Sequence, residues 1–181
     1  MSDLLDKLSS YNIFNYLLPG TLFAAAGSAY TSFNFTFDNL FIAGFAYYFF
    51  GLVISRVGSL VIEPLLKYTG FLKFADYSEY VKACQKDRTI EQLSETNNMY
   101  RTLLSLFLFL GGLFVVDVIV NAYPNIAAWW RGGAFIALFL LFLFSYRKQT
   151  RYVTRRVGAV RKKNGRKSKQ SAQTEPVSHL K

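Results

Sequence analysis

Leu103-Leu104-Ser105-Leu106-Phe107-Leu108-Phe109-Leu110-Gly111-Gly112-Leu113-Phe114-Val115-Val116 is an uncharged stretch of 14 residues. Carried past Asp117, the run reaches about 20 residues, the length that crosses roughly 30 Å of hydrocarbon at 1.5 Å per residue. Three more apolar runs accompany it, so that the four lie at 12–34, 40–62, 103–122 and 126–146. The connections after the first (Thr31 to Asn39) and the third (Tyr123 to Asn125) contain no Lys or Arg. The stretch 63–102 carries six, and the stretch from Arg147 onward carries twelve. Lys/Arg-rich flanks are retained on the cytoplasmic side during insertion. The sequence therefore predicts an all-α integral membrane protein of four transmembrane helices, N-in/C-in, with a cytoplasmic helical hairpin between helices 2 and 3.

Composition points the same way. A chain of 181 residues makes one domain, and 52% hydrophobic with 18% aromatic residues exceeds what a soluble domain of this size needs. The run Ala24 to Ala29 resembles a signal-peptide cleavage site, but Met1 to Lys7 holds two Asp and one Lys instead of a positive n-region. Cys84 is the only cysteine and His179 the only histidine, so a soft-metal site or a Cys/His catalytic pair has nothing to be built from. The glycines lie singly or in pairs within apolar helices, not in a phosphate-cradling loop. No reaction chemistry is legible: no enzyme activity, no cofactor and no metal is expected.

Three parts are expected: an amphipathic N-terminal segment 1–11, a membrane domain 12–146 with the insert 63–102, and a basic, largely disordered tail 147–181. Residues 1–146 carry a net charge of −1, so the whole formal +10 lies in the tail. There Arg147, Lys148, Arg151, Arg155 and Arg156 continue the fourth helix, and Arg161, Lys162 and Lys163 follow. Such cations suit the anionic inner leaflet, at about 1 kcal/mol each, or a partner. Nucleic acid is the weaker alternative, since Tyr152 is the tail's only aromatic and no stacking platform exists.

Small residues recur every four positions in the first two runs: Gly20, Ala24 and Ser28, then Gly51, Ser55 and Ser59. Such faces let helices approach closely, within the bundle or between protomers of a homo-oligomer. Pro19-Gly20 should kink or restart the first helix. Phe33, Phe35 and Phe37 alternate in an extended connection and should point together into the outer interface. In the insert, Asp76 and Thr89 read as helix starts, the second running from Thr89 to Ala122. Tyr77, Tyr80, Val81, Ile90 and Leu93 form an apolar stripe that faces either the protein itself or a soluble partner.

Asp117 and Arg131 each lie seven residues from Pro124, so an antiparallel hairpin turning there brings them to one depth. Ionisable groups in a membrane are costly unless paired or facing water. The pair reads as a clasp; the alternatives are an ion path through Asp117 and a position at the outer interface.

The opening Leu8-Ser9-Ser10-Tyr11-Asn12-Ile13-Phe14-Asn15-Tyr16-Leu17-Leu18-Pro19-Gly20, ahead of four spans and a helical insert, resembles small membrane proteins of bacterial anti-phage defence islands. The membrane subunit of Kiwa-type systems is an example. The resemblance covers about a third of the chain and assigns no functional residue. It implies a multi-pass protein of the bacterial inner membrane acting as sensor, anchor or membrane-disrupting effector. The leading expectation is a non-enzymatic scaffold or sensor that recruits a soluble cytoplasmic partner. A homo-oligomeric channel or depolarising effector is the second reading, and a small transporter or immunity-type protein the third.

Overall fold

The computed structural model describes residues 13–124 and 126–173, with side chains except at 14, 126–131 and 159–173. The amphipathic segment 1–11 lies outside the described residues. The chain is all-helical, 85% helix, with no strand among the described residues. A π turn, Ile13–Leu17, leads into α1 (Leu18–Tyr30). Then follow α2 (Leu40–Tyr68), α3 (Tyr77–Lys86), α4 (Thr89–Ala122) and α5 (Ile126–Gln173). Residues 1–143 and 144–181 are separate compact units.

Local chemistry explains most of the boundaries. Asn39 caps α2, its Oδ1 accepting from the Phe41 and Ile42 amides at 2.9 and 3.2 Å. Asp76 caps α3 through the Ser78 amide at 2.7 Å. Gly70 ends α2 at φ +75°, a left-handed conformation open to glycine at little cost.

The second apolar run was expected to end near residue 62, but α2 continues through Pro64 to Tyr68. The reason is a π turn, Gly58–Ile62, in which Glu63 N donates to Gly58 O five residues back. Proline lacks an amide hydrogen and its ring crowds the carbonyl four residues earlier. A widened turn moves that carbonyl aside. Pro19 uses the same device: it too follows a π turn at an offset of two residues. The kink or restart expected at Pro19-Gly20 is thus a widened turn, with the helix passing through.

Two helices, Leu40–Tyr68 of 29 residues and Thr89–Ala122 of 34, are long and apolar enough to cross a membrane. Only 22% and 17% of their apolar windows are buried within the chain. Phe41, Phe45, Phe107 and Phe114 are exposed on them. A helix that is apolar all round needs apolar surroundings, and the chain does not supply enough.

What is buried centres on Phe23, Ile54, Leu106 and Leu113, joining α1, α2 and α4. The Phe33/Phe35/Phe37 connection does not point outward as one face. Phe33 and Phe35 pack on that core, Phe35 lying 5.2 Å from the Phe23 ring and 5.8 Å from Phe50. Phe35 N donates to Ser28 Oγ at 2.9 Å, and a Cβ on Gly27 would meet the Phe35 ring at 2.9 Å. The connection therefore folds back into a seat that α1 provides. Phe37 packs instead against Tyr47, at 6.1 Å between rings.

The first part of the tail continues the fourth helix, as the sequence suggests, and that helix runs to Gln173 as the last part of α5. Arg, Lys, Gln and Ala are good helix formers, and no proline intervenes before Pro176. Within the 144–181 unit, Lys148 Nζ lies 5.9 Å over the Tyr152 ring.

Candidate functional site

The strongest chemistry sits where α2 and α4 leave their apolar stretches, at the end bearing α3. Gly20 and Gly51 bring α1 and α2 together there. A Cβ on Gly20 would lie 1.7 Å from Tyr47 O, and one on Gly51 1.7 Å from Tyr16 O. The two glycines thus face backbone across one contact within the chain. Ala24 is buried next to this contact, and Ser28 holds Phe35.

This close approach encloses a polar layer. Asn15, Ser55, Thr102 and Ser105 are all buried. Thr102 Oγ1 lies 2.9 Å from Asn98 O, 3.2 Å from Ser55 Oγ and 3.3 Å from Asn15 Oδ1. A hydroxyl has one proton and two lone pairs. Donation to Asn98 O leaves the lone pairs for Ser55 Oγ–H and, with its amide turned, Asn15. Ser105 Oγ donates to Ile54 O at 2.7 Å. Thr102→Val keeps the volume and strips the hub, leaving Asn15 and Ser55 short of a partner. A stability loss of about 1 kcal/mol is expected, measured as a lower melting temperature in detergent, with Thr102→Ser close to wild type.

One turn further, Glu63 is buried and holds two cations. Arg101 Nη1 lies 2.6 Å from its Oε2 and Lys67 Nζ 2.7 Å from its Oε1. Lys67 also sits 4.0 Å over the Phe74 ring. Among the described residues, Arg101 Nε is buried without a hydrogen-bond partner. A cleft of about 140 Å³ opens beside this cluster. Its polar wall is Glu63, Asn97, Asn98, Tyr100 and Arg101, and its apolar wall Leu66, Phe71, Leu72, Phe74 and Leu104.

The helical insert lies beyond. Tyr77, Tyr80, Val81 and Ile90 of the stripe are half-buried, while Leu93 is exposed. Burial pushes the Tyr80 phenol above its ordinary 10.0, opposed by a hydrogen bond with Ser94 of α4 and reinforced by Cys84 and Glu91. Tyr80 thus faces α4. Below pH 10 the phenol is neutral folded or unfolded; above it the unfolded phenol ionises first. The α3–α4 contact keeps its full stability below pH 10 and loses it as pH rises through the raised value. Hydrogen exchange across 77–94 should accelerate there in wild type, and less in Tyr80→Phe.

At the opposite end, Asp117 Oδ1 accepts from Ser32 N at 3.0 Å, and Asn121 Nδ2 donates to Ser32 Oγ at 3.2 Å. Asp117 therefore ties α4 to the connection after α1. Arg131 lies on α5, and its side chain is outside the described residues. Of the tail cations, Arg147, Arg151, Arg155 and Arg156 are exposed and Lys148 half-buried; the side chains of Arg161, Lys162 and Lys163 lie outside the described residues.

The Glu63–Arg101–Lys67 cluster and the Thr102 layer escape a motif search. A positional signal was present, however. Glu63 stands one residue past the second apolar run and Arg101 two before the third, so antiparallel helices place them at one depth. No family model, curated protein or solved structure matches this chain.

Proposed function

We propose that this chain is a four-span, N-in/C-in protein of the bacterial inner membrane that serves as a non-enzymatic scaffold or sensor for a soluble cytoplasmic partner, in anti-phage defence. The observation that carries the reading is α4. It runs for 34 residues without a break, about 50 Å, whereas its apolar run begins only at Leu103. The preceding turns stand clear of the hydrocarbon and, with α3, make the cytoplasmic hairpin. The sparse burial of α2 and α4 supports lipid as their solvent, and the Lys/Arg partition supports the orientation. Asp117 then lies at the outer boundary, fastening the external connection. The defence role rests on the resemblance of the opening motif alone.

Exposed Leu93 and the exposed arginines of α5 offer the partner an apolar and a basic contact. Native mass spectrometry of the protein from its host's membranes tests this. A stoichiometric soluble protein, lost when residues 74–89 are deleted, is the expected result. A bare homo-oligomer whose reconstitution makes liposomes permeable would replace the scaffold with the channel reading.

A further inference from the structure

We infer that the cleft beside Glu63 and Arg101 binds the phosphate of one anionic phospholipid; the inference rests on the membrane reading above. Three observations converge on that occupant. The first is charge. Arg101 and Lys67 share the Glu63 carboxylate, so the cluster carries one positive charge in excess. A phosphate supplies the missing anion, and the Arg101 guanidinium, whose residue lines the cleft, matches phosphate geometry.

The second is position. Arg101 stands two residues before the apolar run of α4, and Phe71 and Tyr100, which line the cleft with it, are exposed. Aromatic side chains favour the headgroup level of a bilayer. A phosphate there comes from the lipid itself at a local concentration no soluble ester matches.

The third is the two-sided lining. Asn97 and Tyr100 stand with Arg101 on the polar wall, and Phe74 and Leu104 on the apolar one. The volume of about 140 Å³ takes a headgroup phosphate but not a whole lipid. The acyl chains accordingly leave along the apolar wall into the bilayer. Bound there, the lipid would bridge α2 and α4 immediately below the hairpin.

The test uses the full-length protein, stripped of lipid in detergent and titrated with phosphatidylglycerol, phosphatidylcholine or glycerol 3-phosphate. Native mass spectrometry reads the bound lipid and thermal unfolding the stabilisation. One phosphatidylglycerol should be retained in preference to phosphatidylcholine, and glycerol 3-phosphate should neither bind nor compete. Arg101→Lys keeps a charge for Glu63 but loses the planar guanidinium fork, and should weaken retention roughly tenfold, as for one charge-assisted hydrogen bond. Leu104→Trp narrows the apolar wall without touching the charges and should also reduce retention. Equal binding of both lipids, or unchanged retention in both variants, would overturn the site. Competition by glycerol 3-phosphate would overturn the lipid as source and assign the cleft to a soluble phosphate ester. Alkaline carbonate extraction of the native membranes separates the two levels. Release of the protein defeats the membrane reading itself, whereas retention without lipid preference defeats only the site.

Discussion

Gly51→Ala should leave little folded protein. The added methyl carbon would sit 1.7 Å from Tyr16 O and 2.5 Å from its carbonyl carbon, both backbone atoms. No rotamer change relieves such a clash, so α1 and α2 must separate and drag the Asn15–Ser55–Thr102 layer apart. Overpacking of this kind costs about 3 kcal/mol or more. The gain of about 0.5–1 kcal/mol from replacing a helical glycine by alanine does not offset it. Gly20→Ala should behave alike, because its Cβ meets Tyr47 O at 1.7 Å. Gly111→Ala and Gly112→Ala are the controls: among the described residues nothing lies within 4 Å of either Cβ, so stability should hold or rise slightly. Melting of detergent-solubilised fusions by fluorescence-detected size exclusion measures all four. If Gly51→Ala melted with Gly111→Ala, α1 and α2 would not approach as described.

The second large effect is expected at the ion cluster. Glu63→Ala strands Arg101, whose side chain is 22% exposed, beside an apolar stretch. Breaking a buried pair by removing one partner costs about 3 kcal/mol. Arg101→Leu should cost a little less, because Lys67 still neutralises the carboxylate. Lys67 is 41% exposed, and Lys67→Ala should cost at most about 1 kcal/mol. The double substitution Glu63→Ala with Arg101→Leu should cost clearly less than the two single changes added together, since neither charge is then stranded. Unfolding in mixed micelles at increasing sodium dodecyl sulfate gives the comparison. Strict additivity of the two single variants would mean that the pair does not interact.

These residues also show what the sequence could and could not disclose. Helical class and the course of α4 from Thr89 to Ala122 follow from apolar period and the absence of a breaker, both local properties. The Asp76 cap is equally local. The end of α2 is not: Pro64 reads as a stop, and only the widened turn at Gly58–Ile62 lets the helix pass it. The recurrence of small residues at Gly20 and Gly51 was visible, but which backbone each would meet depends on how two helices cross. Charge pairing was legible only in part. Counting outward from Pro124 drew attention to Asp117 and Arg131; Asp117 accepts from a backbone amide of the Ser32 connection, and the Arg131 side chain lies outside the described residues. The same count at the other end, from residues 62 and 103, marks Glu63 and Arg101. Burial of Asn15 and Thr102 had no signature, since isolated polar residues in apolar runs also face outward at helix ends. The Phe33/Phe35 connection misled because alternation suggests an extended face, while the seat left by Gly27 becomes visible only in three dimensions.

Cysteine accessibility tests the central claim, a four-span protein with its helical insert in the cytoplasm, most directly. In a Cys84→Ala background, single cysteines replace Asn34 in the first connection and Gln85 on α3. Intact cells are then treated with a membrane-impermeant maleimide. The account predicts labelling of Asn34→Cys in intact cells, and of Gln85→Cys only after the inner membrane is permeabilised. Labelling of Gln85→Cys in intact cells, or equal labelling of both positions before and after permeabilisation, would contradict it.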